Sequence, residues 1–514
     1  MRSRNLFGAL IGVLCAAVAV GVGESVAAFV RPAAAPVIAV GNRVIVLTPE
    51  SAKRTTIQTA GTNDKLVLFV GIYVLLTAFG AIIGVLALRR IRYGLVGIAA
   101  IAAVGAYCAL TASASEGSDV IPTLVGAAVA MGVLIVLVRL AGGPSQSDGV
   151  VPARRALLQA GAASAALAAV AGFGGRAVQH SRFDVAAARE RVKLPAPRDD
   201  AGRAGRGVAV PRGVELGKSP HRWATSSADF YRIDTALRVP QVDPKTWRLR
   251  IHGMVDRELT LSYDDVLARP LIERWITMSC VSNEVGGLLM GNARFRGVLL
   301  ADLLREVGVH ADSDQLVLTS VEGMTIGAPT KVVLDGRDAL LAVGMNGKPL
   351  PIEHGFPART VVPGLYGYVS ACKWIVDIEA TTYAHRKAYW VAGGWAEQAK
   401  IKLASRIDRP NSSEVVSVGE RVAVAGVAWD QQVGVSKVEV QVGDGPWQRA
   451  RLAAVPSTDT WRQWVWPWTP QESGSYRLRV RATDASGKRQ DAGRTDPFPS
   501  GATGLHEVMV QAVI

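Results

Sequence analysis

The chain has 514 residues, 49% hydrophobic and 19% charged, with a net charge of +14. Four cysteines, two of them in apolar runs, give no framework for a disulfide-built fold. The arginines are spread thinly and several flank apolar runs, which sets aside a nucleic-acid surface and fits positive charge at membrane boundaries.

Residues 1–178 read as a transmembrane domain of about five helices. Stretches 6–23, 66–88, 94–112, 120–138 and 156–175 are each apolar over about the length that crosses a bilayer. Glu24 and the later spans favour an anchor over a cleaved leader for the first, with Glu24 at the interface. Arg2 and Arg4 precede span one. Arg89, Arg90 and Arg92 separate spans two and three, and Arg139, Arg154 and Arg155 separate spans four and five. Those loops are predicted to be cytoplasmic, and the loop with Glu116 and Asp119 outside, so the chain beyond about Arg176 is predicted to be extracytoplasmic. Arg154-Arg155 before an alanine-rich span resembles a twin-arginine export signal, with ordinary positive-inside arginines as the alternative. No histidine precedes His180, so these spans carry no haem held by two imidazoles.

Residues 179–219 are rich in Arg, Ala, Gly and Pro without periodicity and read as an extended linker. Residues 220–404 alternate short strands with short helices. Strands are predicted at 247–252, 259–261 and 315–319. A helix is expected at 263–268, capped by Ser262 with Asp264 and Asp265 in its first turn, and another at 299–307. The lack of βαβ regularity argues α+β.

Two stretches of this domain carry chemistry. Cys280 follows the strand end at Trp275-Ile276 and is the only cysteine framed by small polar residues and glycines, a setting for a thiolate that attacks a substrate or ligates a soft metal. His354, Arg359 five residues on and Lys373 form a donor set without matching acids, with Gly364 and Gly367 letting backbone approach a ligand. Such a set suits an anion such as phosphate.

Thr-x-x-Cys280-x-x-Asn283, Gly291-Asn-Ala-Arg-Phe-Arg-Gly-Val298, His354-Gly-Phe-Pro-x-Arg359, Pro363-Gly-x-x-Gly367 and Lys373-Trp374 together resemble the sulfite oxidase family of molybdopterin enzymes, over roughly 180 residues in order and spacing. The resemblance implies a bacterial membrane-anchored member with one molybdenum-molybdopterin per chain. It implies Cys280 as metal ligand and catalytic residue. It places the cofactor against His354, Arg359, Ala371, Cys372 and Lys373, with Phe230, Tyr231, Arg232, Asn283 and Thr325 as further cofactor-side residues. The family's sulfite-oxidising members carry Arg-Asn-His where this chain has Asp234, Thr235 and Ala236, and an arginine where it has Glu284 and Val285. Arg232, Arg294 and Arg296 remain as other sources of positive charge. The departures point to an uncharged oxo acceptor such as a sulfoxide, small or protein-borne, with sulfite dehydrogenation as the alternative. No Cys-x-x-Cys-His occurs, so the electron partner, a cytochrome or quinone-linked protein, is expected to be separate. A metal-free thiol enzyme pairing Cys280 with His354 or His385, and a non-catalytic scaffold, stay open as readings of the residues.

Residues 405–514 read as an immunoglobulin-like β-sandwich. Strand patterns at 417–429, 435–442 and 476–483 are separated by Gly443-Asp-Gly445 and Asp484-Ala-Ser-Gly487, and a last strand is expected after Gly504. Trp464, Trp466 and Trp468 repeat every second residue, as one face of a strand: a core face, or an interface with the central domain or another chain. The resemblance implies a homodimer through this domain.

Overall fold

The computed structural model describes residues 2–49, 52, 64–112, 115–141, 150–182, 185–198, 210–216, 221–233, 235–412 and 414–514. Asp234 and much of the 179–219 segment lie outside them. The chain divides into two units, Met1–Asp184 with Ala236–Arg238, and Val185–Thr235 with Val239–Ile514.

The first unit is helical: α1 (Arg2–Ala27), α2 (Pro36–Leu47), α3 (Asp64–Arg89), α4 (Ile91–Leu110), α5 (Ile121–Ala141) and α6 (Val150–Arg182). Five of these are long and apolar enough to cross a membrane. α1 packs on α3, α5 and α6. Small residues let it come close: a side chain on Gly12 would strike the backbone of Gly80 and Gly84, the device by which apolar helices pack in lipid. The twelve-residue α2, started by Pro36, matches no predicted element because it is too short to read as a span.

The second unit opens with α7 (Val185–Arg191). The extended-linker reading fails here. Arg189 donates from Nε to the Leu350 carbonyl (2.6 Å) and from Nη2 to that of Pro349 (2.7 Å), and the Arg198 amide donates to Leu271 O (2.8 Å). Its alanine-rich beginning thus becomes helix by docking on a folded surface, which local composition does not reveal.

The central α+β domain holds β1 (Arg248–Gly253), β2 (Leu259–Ser262), β3 (Ile272–Ser279), β4 (Met290–Leu299), β5 (Gln315–Ser320), β6 (Thr325–Pro329), β7 (Leu340–Met345), β8 (Lys348–Pro349), β9 (Arg359–Val361) and β10 (Ile375–Thr381). One sheet runs β2-β1-β10-β5-β6, with β1 and β10 parallel; the other runs β3-β4-β7-β8, with β9 on β7. Helices α8 (Tyr263–Leu267) and α9 (Leu300–Glu306) stand where capping and periodicity place them. In α8 the Ser262 hydroxyl accepts from the Asp265 amide and the Asp265 carboxylate accepts from the Ser262 amide.

The C-terminal domain is a two-sheet immunoglobulin-like sandwich: Ala404–Arg409, Val422–Trp429, Arg462–Trp468 and Arg451–Leu452 in one sheet; Val415–Ser417, His506–Val513, Gly474–Asp484, Val435–Val442 and Gln448–Arg449 in the other. The predicted strand at 417–429 is in fact two, Val415–Ser417 and Val422–Trp429, in different sheets. Trp464, Trp466 and Trp468 lie in the sandwich core, so their beat marks a core face. The neighbouring Trp461 joins the two domains instead. Its indole N–H donates to Trp223 O (2.9 Å), the Trp223 indole donates back to Trp461 O (3.3 Å), and the Trp461 amide donates to the Thr277 hydroxyl (2.8 Å).

Candidate active site

Cys280 sits at the head of the loop joining β3 to β4, whose last paired residues are Ser279 and Met290. The loop is closed on itself: the Cys280 amide donates to Leu289 O (2.9 Å), the Asn283 amide to Cys280 O (3.1 Å) and the Leu289 amide to Asn283 Oδ1 (2.8 Å). Asn283, expected beside a cofactor, therefore spends its carboxamide oxygen on the loop's shape. From the C-terminal domain, Arg406 Nη1 donates to Gly287 O (2.8 Å) and the His506 ring packs against Gly286.

Burial pushes the Cys280 thiol up, against partial relief from hydrogen bonds with Ser282 and the Val281 amide. A thiol held neutral is a poor nucleophile; a bound metal would deprotonate it outright. Among the described residues no histidine hydrogen-bonds this thiol. His354 Nε2 is 3.1 Å from Ser227 O, and His385 is exposed. Nor does any group of three His, Cys, Asp or Glu among them make a metal site. A metal on Cys280 would thus take its other ligands from a non-protein group.

The structure brings the predicted cations together. Arg359 and Lys373 pair as an isolated antiparallel bridge. At Gly355, φ is +108°, and a Cβ there would sit 3.1 Å from the Cβ atoms of both Arg359 and Lys373. Only glycine takes this conformation in so close a turn without strain. Arg359 is 5% exposed and donates to two backbone carbonyls, Thr360 and His354 (3.4 and 3.2 Å). Burial pulls its pKa down to about 10, so it stays charged at neutral pH. Burial, then Arg359 and Lys373, pull His354 down to about 4. Lys373 Nζ reaches Glu353 O (3.2 Å) and lies 4.6 Å from the Trp374 ring centroid. A buried guanidinium that donates to carbonyls and, among the described residues, pairs with no acid fits an anionic ligand such as a cofactor phosphate.

Gly367 links the two halves. A side chain there would begin 3.8 Å from Ser279 O and Ala371 Cβ and 3.9 Å from the Tyr231 hydroxyl. Burial first, and Cys280 next, keep the Tyr231 phenol neutral. The Phe230 ring packs on Tyr231 (5.2 Å between centroids) and edge-on to His354 (5.7 Å). Cys372 is buried, its amide bonded to the Thr360 hydroxyl (2.9 Å) and its thiol raised by burial. Arg232 is exposed. Thr325 Oγ1 accepts from the Tyr389 amide (3.1 Å). Sequence reasoning missed Tyr366, which burial pushes up to about 12 with Cys280 nearby. It lies inside the Pro363–Gly367 motif, but its side-chain direction is not legible there.

Arg294 and Arg296 do not restore the missing positive charge. Both turn to the buried Glu273, with Arg296 Nη2 at 2.9 Å and Arg294 Nε at 3.5 Å.

Residues 236–390 match the oxidoreductase molybdopterin binding domain and residues 404–480 the bacterial Ig domain. An uncharacterized oxidoreductase of Bacillus subtilis (strain 168), YuiH, is 35% identical over 158 residues, covering 30% of this chain and 76% of that relative. The chain belongs to the sulfite oxidase family of molybdopterin oxidoreductases. Mitochondrial sulfite oxidase of Mus musculus is 31% identical over 299 residues, 49% of this chain. The chain spans about half, 54%, of that relative's length. The sulfane dehydrogenase SoxCD of Paracoccus pantotrophus shares the fold, at a TM-score of 0.50 and 20% identity over 63% of this chain and 98% of its own.

Proposed function

We propose that this family member is a membrane-anchored enzyme that reduces an uncharged oxo acceptor, such as a sulfoxide, on a molybdenum-pterin bound one per chain. When bound, that group supplies oxygen-atom transfer: a sulfoxide, two electrons and two protons become a thioether and water. Cys280, half-buried at the loop head with its thiol pushed up, would hold the metal, which would deprotonate it. His354, Arg359 and Lys373 would hold the phosphate end, and Phe230 and Tyr231 would wall the ring, with the backbone at Ala371 and Cys372 alongside. Asn283 keeps the loop closed. The Tyr231 and Tyr366 phenols, neutral beside Cys280, can donate hydrogen bonds to a sulfoxide oxygen. The carrying observation is that Arg294 and Arg296 both pair with Glu273, which takes two of the three candidate cations, all but Arg232, away from a doubly charged substrate.

The five long apolar helices support membrane anchoring, and the arginine distribution supports an extracytoplasmic catalytic part on a bacterial cytoplasmic membrane. Electrons would come singly from a separate partner. The test is molybdenum and pterin content of purified protein, followed by sulfoxide reduction with a reduced viologen against sulfite oxidation with ferricyanide. Faster sulfite oxidation would overturn the substrate assignment, and a metal-free chain from a host that supplies the cofactor would overturn the enzyme assignment.

A further inference from the structure

Glu24 directly follows the first span, and the catalytic reading leaves it unused. In the helical unit it is 4% exposed. Its Oε2 is 3.0 Å from Arg238 Nη2. Its Oε1 is buried and, among the described residues, has no hydrogen-bond partner. A buried carboxylate oxygen left in this state is costly unless something donates to it.

Glu24 lines a cavity of about 410 Å³, within the range of small-molecule sites. Arg176 and Arg238 line it too, as do Phe69, Tyr73 and two aliphatic residues of α2. Glu24 is near the end of α1, Arg176 near the end of α6, and Phe69 and Tyr73 near the start of α3, so the polar groups gather at one end of the bundle. The fitting ligand has an apolar, flat body, an oxygen that accepts from a guanidinium, and a hydroxyl that donates to Glu24. We propose that this cavity binds the ring of a lipid-soluble quinone, as quinone or hydroquinone. The hydroquinone hydroxyl donates to Glu24 Oε1, an arginine donates to the opposite oxygen, and Phe69 and Tyr73 flank the ring. An anionic phospholipid headgroup fits worse, because its phosphate has no proton to give Oε1 and is repelled by it. The inference rests on the membrane-spanning reading above and not on the substrate assignment.

The test uses the full chain in nanodiscs of zwitterionic lipid and equilibrium binding of tritiated ubiquinone carrying one isoprene unit, in its oxidised and reduced forms. Saturable binding near one per chain is expected. Glu24→Gln keeps the shape but removes the charged acceptor, and is expected to weaken hydroquinone binding about tenfold or more, the scale of one charge-assisted hydrogen bond. Phe69→Ala is expected to weaken both forms while leaving the Glu24–Arg238 pair in place, and decides the matter if Glu24→Gln does not fold. No saturable binding, binding unaffected by the folded variants, or displacement by added phosphatidylglycerol at equal concentration overturns the proposal. Resistance of the chain to carbonate extraction reads the membrane assignment separately, and molybdenum content reads the enzyme assignment separately.

Discussion

Two neighbourhoods of the β3–β4 hairpin handle buried charge in opposite ways. At the Ile272 end every charge has an opposite beside it: Arg274 Nε is 2.8 Å from Asp338 Oδ2, and Glu273 is gripped by Arg296 and Arg294. Around the anion site, Arg359 is as buried as Arg274 but donates to carbonyl oxygens and lies over the Phe295 ring, with no acid paired to it among the described residues, and His354 is kept neutral. Compensated charge holds a fold together; uncompensated charge at similar depth marks where a ligand's charge belongs. The distinction is made by partners, not by burial or residue type.

The largest expected effect breaks the functional end. Cys280→Ala should abolish oxo-transfer turnover while pterin stays bound, read as viologen oxidation beside metal and pterin analysis. Next come two arginine substitutions that set the ends against each other. Arg274→Ala leaves the buried Asp338 without this guanidinium and should cost about 3–5 kcal/mol in denaturant unfolding. Arg359→Gln removes a charge that no acid among the described residues pairs with, so the cofactor-free chain should change by less than about 1 kcal/mol, while retention of cofactor through purification drops sharply. Equal destabilisation by both would erase the comparison.

The pH dependence sharpens it. His354 and His506 both fall to about 4 in the fold from an ordinary 6.5, each chiefly through burial. Between those values the unfolded chain binds protons that the folded chain does not. Stability of the cofactor-free protein should therefore be full above pH 6.5 and fall as pH drops toward 4, by about 3 kcal/mol per imidazole. His506→Gln should flatten that slope in a melting series without touching the anion site. A smaller loss, about 1–2 kcal/mol, is expected for Trp461→Phe, which removes one indole–carbonyl bond between the domains. The smallest belongs to Arg250→Ala: its pair with Glu258 is exposed on both sides, and the change should stay within about 1 kcal/mol.

Much of the catalytic domain was legible because its signals are local. Ser262 and Asp265 cap α8 within one turn, and Cys280 announces itself by its glycine-rich frame. The donors His354, Arg359 and Lys373 were legible as a set because they fall close together in an apolar, glycine-containing stretch. The docking of residues 185–198 was not legible, because its partners at Leu271, Pro349 and Leu350 lie far along the chain. The break between Val415–Ser417 and Val422–Trp429 was missed for a related reason: alternation marks strands but not which sheet each joins.

By itself the sequence determined the apolar spans, the α+β and sandwich patterning, and the thiol with its three donors, because hydropathy period, caps and residue chemistry act over a few neighbours. Only the tertiary structure decided which charges are offset. Arg294 and Arg296 read as candidate substrate cations until the fold turned them onto Glu273; the fold also sets the Asn283 oxygen to closing its own loop and Glu24 beside Arg238. Electrostatic role depends on distance and burial, and in a folded chain both are set by residues remote in sequence.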